Sequence, residues 1–354
     1  MRSTVVRWAE PGSTAPGIDI VCPTYNRSEQ IGRTIESTLD QSVRDWRLIV
    51  VSDGSTDDTE DVVLSYTDPR ICLVRSEPHG HPGGPRNIGL RHVQAPYVAY
   101  LDHDDHWHPD HLSTLLGSLE QGHDIVATGA VYIDAEQWEW GRTEPPDLVW
   151  HPDLQAAFAL FEPSRVGHRR GIVEEVGGWT TDSTGFEDWD LWWRLGQAGH
   201  DFRPVLDRTA YIYRGSDTRT ESVRSRFAVR VGVTTNEETA RRSLETLRGS
   251  ASQEHLADLY AADFAEWWDR LGASTRFAVP EGVSRNEVLR ALKGRSDAAR
   301  SHVFKELRYA LQGEGCVLYD PAWCSSKEHA AHIGEIMATR DRRQRAYLSE
   351  LLER

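Results

Sequence analysis

The sequence contains no run of about 18 apolar residues, so it offers no membrane-spanning helix. Its first 17 residues, interrupted by Arg7, Glu10 and two prolines, lack a signal-peptide h-region, and the expected location is cytoplasmic. Cysteine is scarce: Cys22, Cys72, Cys316 and Cys324 form no CxxC pair, which argues against structural zinc. Cys22 and Cys72 fall in or beside apolar runs, where free thiols act as small hydrophobes. No GxGxxG is present, so a dinucleotide-dehydrogenase reading lacks its fingerprint. Positive charge is also short. Lys and Arg number 40 against 55 Asp and Glu, a net charge of -15, which argues against a generic binder of nucleic-acid phosphates. An anionic ligand would need local cations.

What is present suits a globular enzyme. The 354 residues, 39% hydrophobic and 27% charged, suffice for a catalytic domain plus an appendage. Short apolar runs alternate with helical patterns: Ile18–Cys22, Leu48–Val51, Ile71–Val74 and Tyr97–Leu101 read as strands, and Ser28–Gln41, Thr56–Tyr66, Arg86–Val93 and Pro109–Gln121 as helices. That order predicts an α/β fold with a doubly wound, mostly parallel sheet. In such sheets ligands sit beyond the carboxyl ends of the strands. The polar runs Pro23–Arg27, Ser52–Ser55 and Asp102–Asp105 fall there.

Asp102, Asp104 and Asp105 place three carboxylates within four positions. Charges so close repel one another unless neutralised, and oxygen ligands suit Mg²⁺ or Mn²⁺. The alternative is an acidic strand-to-helix loop with Pro109 and Asp110 at the helix start. His103, His106, His108 and His111 surround the cluster without the HExxH spacing of a zinc site, which favours surface histidines. The Gly-rich run His79–Pro85 leads into a helix with Arg86 near its start, a geometry suited to a diphosphate.

Five ordered motifs then resemble those of inverting family 2 glycosyltransferases with the GT-A fold, over about residues 18–215. They are Pro23-Thr24-Tyr25-Asn26-Arg27, Val51–Thr59, Gly84–Leu90, Asp102-His103-Asp104-Asp105 and Phe186–Leu191. The resemblance implies a donor nucleotide held by Pro23, Thr24, Tyr25, Asn26, Asp53, Arg86, Asn87 and Asp102. It further implies a DxD pair in which Asp104 contacts the metal and Asp102 the ribose or metal, with Asp105 a further candidate. Asp188, beside Glu187, would be the general base. Val176–Trp179 resembles the family's acceptor-side element, so Trp179 or Trp189 is expected near the acceptor, with Trp192 and Trp193 largely buried. Where relatives carry a basic, histidine-bearing loop this chain has Arg214–Ser222, leaving Arg214 and Arg219 as phosphate contacts and no histidine. Ser52 stands where relatives commonly have a first aspartate.

The expected division is an N-terminal extension (1–17), a catalytic domain (18–223) and a mainly helical region (224–354) for acceptor binding or oligomerisation. There Leu256, Leu259, Tyr260, Phe264, Trp267, Trp268 and Leu271 make an amphipathic stripe, most simply a buried one. Arg340, Arg342, Arg343 and Arg345 read as a solvated helix face. The implied function is metal-dependent transfer of a sugar, from a UDP-sugar in the first instance, to a hydroxyl-bearing acceptor. A sugar nucleotidyltransferase would share the carboxylates without needing the Glu-Asp motif. A non-catalytic sugar- or nucleotide-binding protein would not need an intact Asp102, Asp104, Asp188 and Arg86.

Overall fold

The computed structural model describes residues 3–8, 16–157, 160–181, 187–214, 229–294, 307–312, 315–320 and 327–353. In chain order, the first elements are β1 (Ser3–Arg7), β2 (Ile18–Thr24), α1 (Ile31–Leu39), β3 (Trp46–Ser52), α2 (Thr59–Ser65) and β4 (Ile71–Ser76). Next come α3 (Gly83–Leu90), β5 (Tyr97–Tyr100), β6 (His106–Trp107), α4 (His111–Leu119), β7 (Ile125–Ile133) and β8 (Glu139–Arg142). They are followed by α5 (Pro152–Ala157), β9 (Val166–Arg169), α6 (Ile172–Glu175), α7 (Glu187–Ala198) and β10 (Phe202–Tyr213). The chain packs as two compact units, one of residues 1–144, 160–222 and 279–281, the other of 145–159, 223–278 and 282–354.

The first unit is built on a mixed sheet in the order β1-β4-β3-β2-β5-β9-β7-β10-β6, with β8 beside β7. β4, β3, β2 and β5 run parallel, as do β7 and β10; β9 is antiparallel to both β5 and β7. Every residue of β2 and β3 is buried, the pattern of a strand covered on both faces. Ile20, Leu48, Leu73 and Ala99 meet Ile31, Ile35, Leu112 and Leu115 of the helices in one core. Burying each Leu or Ile side chain contributes about 1.5–3 kcal/mol. The one carboxylate inside β2, Asp19, is matched by the bidentate Arg47 at 2.8 Å and by the backbone amides of Gln94 and Ala95. That pair lies at the opposite end of the strands from the site below.

Two sequence expectations change here. Part of the N-terminal segment is an edge strand: β1 pairs antiparallel with β4, and Arg7 donates to the carbonyls of Val63, Tyr66 and Ile71. α3 begins at Gly83, three residues before Arg86, so Arg86 points inward from the first turn and is only 2% exposed.

The second unit contains α8 (Glu237–Arg248), α9 (Ser250–Leu271), α10 (Arg285–Gly294), α11 (Lys327–Arg340) and α12 (Arg342–Glu353). It also holds an antiparallel sheet that the helical sequence patterns concealed, with β11 (Val229–Thr234) and β12 (Arg308–Gln312) flanking β13 (Gly315–Asp320). The α9 stripe is buried at Leu256, Phe264 and Trp267. The arginine cluster is a solvated face only in part: Arg342 is exposed, but Arg340 is buried in a bidentate pair with Asp341 at 2.7 Å, and Arg343 pairs with Asp263 and Glu266.

Candidate active site

The parallel strands β4, β3, β2 and β5 end at one edge of the first unit, and the polar motifs converge there. Pro23 and Thr24 complete β2 and are buried; the Thr24 hydroxyl has no hydrogen-bond partner among the described residues. Tyr25 follows at 51% exposure, leaving its ring accessible. Asn26 takes a left-handed conformation (φ 48°), and its Oδ1 accepts from the Thr56 amide at 2.8 Å, which ties the β2 loop to the β3 loop.

Asp53 does not present a free carboxylate to a base. It is 5% exposed, and its oxygens accept from the amides of His79 (3.0 and 3.1 Å) and Gly80 (3.2 Å) and from the Ser76 hydroxyl (3.2 Å). The His79 ring lies 2.7 Å away. Asp53 thus staples the Gly-rich segment after β4 to the end of β3. Gly54 is required beside it, at φ +73° with a Cβ position 2.5 Å from Pro78 Cγ.

The acidic cluster divides by burial. Asp105 is 4% exposed and saturated, accepting from the Ser164 hydroxyl at 2.5 Å and the Tyr213 amide at 2.8 Å. Burial and the charges of Asp104 and Asp102 push its carboxyl well up. It locks the loop after β5 to β10. Asp102 and Asp104 remain partly exposed, with side-chain exposures of 27% and 18%. Burial raises the Asp104 carboxyl, as does the Asp102 charge. Nδ1 of His103 donates to the Pro23 carbonyl (3.1 Å), so its Nε2 accepts from Nε of Arg27 (3.1 Å). Among the described residues no group of three or more His, Cys, Asp or Glu is arranged to hold a metal alone. Two hard-oxygen carboxylates are nevertheless a sufficient protein contribution for Mg²⁺ or Mn²⁺ when phosphates complete the shell.

Arg86 joins this pair to the second acidic motif. Its Nη2 donates to Asp102 at 2.6 Å and its Nη1 to Glu187 at 3.0 Å, while its guanidinium lies 4.4 Å over the Trp179 ring. With both ends committed to carboxylates and the side chain buried, Arg86 positions acids and is not an exposed phosphate ligand. Asn87 has a similar fate, accepting from the Trp179 amide (2.9 Å) and donating to its carbonyl (2.8 Å). Gly178, at φ +80°, brings its Cα close enough that a Cβ would sit 2.8 Å from the Asn87 oxygen. Arg194, paired with Asp190, fixes the same segment through the carbonyls of Val176 and Gly178.

Glu187 and Asp188 open α7. Asp188 is partly buried and accepts from the Trp189 amide at 2.8 Å; burial, then the Glu187 charge, lifts its carboxyl to about 7. A carboxylate so placed can exchange a proton near neutrality. Glu162, which sequence reasoning missed, adds to that shift while pairing with Arg165 at 3.0 Å and Arg214 at 2.6 Å. No local motif announces it. Arg27 was legible in the β2 motif, but its link to His103 was not.

The tryptophans differ from expectation. Trp179 is 1% exposed, set edge-on to Tyr100 and Trp192, and Trp189 is 6% exposed. Neither offers an open face to a sugar, because packing under Arg86 and within the α7 core uses them. Trp192 is fully buried and Trp193 partly so. Arg219 and the position near Gly215 lie outside the described residues.

Residues 19–176 match the sequence model of Glycosyl transferase family 2. This segment is a family 2 glycosyltransferase domain, and its architecture is the α/β GT-A fold. An uncharacterized glycosyltransferase of Rickettsia prowazekii is 29% identical over 195 residues, covering 51% of this chain and 59% of the relative. The putative teichuronic acid biosynthesis glycosyltransferase TuaG of Bacillus subtilis is 40% identical over 103 residues, 28% of this chain and 41% of its own. The UDP-Glc:alpha-D-GlcNAc-diphosphoundecaprenol beta-1,3-glucosyltransferase WfgD of Escherichia coli is 37% identical over 90 residues, 25% and 36% respectively. The alignments thus span between 36% and 59% of these relatives. No described helix is long and apolar enough to cross a membrane.

Proposed function

We propose that the domain transfers a glycosyl group from a nucleoside-diphosphate sugar to a hydroxyl-bearing acceptor with inversion at the anomeric carbon. The observation that carries this reading is the Asp102–Arg86–Glu187 chain, which makes the β5 carboxylates and the α7 acids a single constellation. Tyr25 supplies an exposed ring for the base, and Asn26 and the Asp53-stapled loop shape the nucleotide's seat. The relative whose name specifies a UDP-glucose donor supports UDP as the nucleotide.

Asp104 and Asp102 would hold Mn²⁺ or Mg²⁺, which supplies positive charge against the diphosphate of the departing group. Asp188 takes the acceptor hydroxyl proton as that oxygen bonds to the anomeric carbon. The bond from that carbon to the diphosphate oxygen breaks at the same time, its electron pair leaving on the nucleotide. Glu187 holds Arg86, and through it Asp102, in register with this base. A carboxylate titrating near 7 with no cation at contact distance among the described residues is what a displacement needs, whereas a nucleotidyltransferase has no use for it. Partner expectations follow the same line: a nucleotide-sugar donor and an acceptor, with no nucleic acid.

Thermal denaturation with UDP-, GDP-, dTDP- and CMP-sugars, each with Mn²⁺ or Mg²⁺, tests the donor class, since a ligand bound only by the native state raises the midpoint. A metal-dependent rise with UDP-sugars is expected. Unchanged midpoints with every donor would contradict the reading.

A further inference from the structure

The hairpin formed by β7 and β8 carries aromatic surface that the site described above does not use. Trp138 is 73% exposed and Trp140 59%, the two most exposed large apolar side chains among the described residues of this unit. Tyr132 pairs with Gly141 and Ile133 with Glu139, which leaves Trp140 as the extra residue of a β-bulge. Bulges re-aim side chains, and here the Trp140 ring stacks on Tyr132 at 5.4 Å and 29° between planes. The turn that bears Trp138 is closed rigidly: Asp134 exchanges backbone bonds with Trp138 (3.2 Å) and Gln137 (3.1 Å), and its carboxylate accepts from the Trp138 amide at 2.9 Å. Two rings, Trp138 and Trp140, are therefore displayed on a fixed scaffold, with Tyr132 backing the second.

The hairpin is continuous with the candidate active site. The Arg214 guanidinium lies 5.7 Å over Tyr132 and pairs with Glu162, and the Arg214 amide donates to the Ile133 carbonyl at 2.9 Å. Glu162 in turn is one of the charges acting on Asp188. The charge around the rings selects among occupants. Arg142 is neutralised by Glu139 and Arg208 faces Glu144, while Asp134 and Glu136 add further negative charge. Such a rim disfavours an anionic lipid surface. Aromatic faces with flanking hydrogen-bonding acids suit the apolar C–H faces and outward hydroxyls of neutral pyranoses.

We propose that Trp138 and Trp140, the latter backed by Tyr132, form a stacking platform for a neutral oligosaccharide acceptor, binding sugar rings beyond the one that carries the reacting hydroxyl. The proposal rests on the glycosyltransferase reading and names the acceptor class. It assigns this chain specificity for a glycan of several residues over a free monosaccharide.

The test is fluorine NMR of the full chain labelled with fluorotryptophan, titrated with linear tetrasaccharides of glucose, N-acetylglucosamine and mannose. Trp138→Phe and Trp140→Phe assign the two resonances. At least one tetrasaccharide should shift both, its monosaccharide should not, and Trp138→Ala/Trp140→Ala should weaken that affinity about 10-fold or more. UDP affinity, followed in the same samples, should stay unchanged in the double variant. The proposal is overturned if no saccharide moves either resonance, if phosphatidylglycerol vesicles move them instead, or if the wild-type chain self-associates and the double variant does not. Absence of UDP binding in the wild-type chain would contradict the donor reading independently of the saccharide shifts.

Discussion

Arg86 of α3 donates to Glu187 of α7 across 3.0 Å, joining residues 101 positions apart in the sequence, and its other nitrogen holds Asp102 at 2.6 Å. Two acids and one cation thus share a fork, with the guanidinium stacked on Trp179. Against the cost of burial, the Asp102 and Glu187 charges keep Arg86 firmly protonated. The arrangement fixes the separation between the acidic loop after β5 and the start of α7.

Removing that fork should cost stability before it costs chemistry. Arg86→Met leaves Asp102 and Glu187 without their cation, and losing one partner of a buried pair costs about 3–5 kcal/mol. Arg86→Lys should recover only part, because a point charge cannot hold two carboxylates in a planar fork. Denaturant unfolding checks both; wild-type stability in Arg86→Met would show that the pair contributes nothing.

Asp104→Asn should abolish metal-enhanced nucleotide binding while leaving the fold intact, since the side chain is partly exposed and an amide brings no charge to the ion. Calorimetry with UDP, with and without Mn²⁺, reads this directly. Asp105→Asn should behave differently. Its carboxylate bonds Ser164 and Tyr213, so that substitution should lower the melting temperature.

Two buried histidines set a stability limit on the acid side. Burial holds His111 down at about 3 and His168 at about 4, below the ordinary 6.5. The unfolded chain therefore binds protons that the folded chain refuses, and stability present above pH 6.5 is lost as pH falls toward 4. The slope should approach about 1.4 kcal/mol per pH unit for each histidine. Asp188 has the opposite sign. Its folded value near 7 exceeds the ordinary 3.8, so the stability it contributes in acid is lost as pH rises from about 4 through 7. Denaturation midpoints between pH 4 and 8 should show the histidine effect relieved in His168→Phe and the aspartate effect relieved in Asp188→Asn.

Much of the domain was legible because buried parallel strands are apolar runs and their loops are polar, a pattern written locally. Ile18–Cys22, Leu48–Val51 and Ile71–Val74 each lie within an observed strand. What sequence could not display was pairing at a distance. Asp53 reads as an open acceptor until the fold returns His79 and Gly80 to it. Arg86 reads as a phosphate ligand until α3 starts early and turns it toward Glu187. Trp179 reads as a sugar platform until Tyr100 and Trp192 close on it, while the rings that do remain exposed, Trp138 and Trp140, sit in a hairpin without a recognisable motif. Arg340 likewise looks solvated until Asp341 buries with it.

The proposed base bears the central claim, and Asp188→Asn isolates it: the amide keeps the size and removes the proton acceptor. The decisive measurement is donor affinity by calorimetry alongside the pH dependence of sugar transfer, wild type against Asp188→Asn. Unchanged affinity with turnover lower by about 10²–10⁴-fold is expected, as is a wild-type kcat/KM that climbs through an acid limb near pH 7 where Asp188 ionises. Near-normal transfer by Asp188→Asn, or a product that retains the donor's anomeric configuration, would contradict the account.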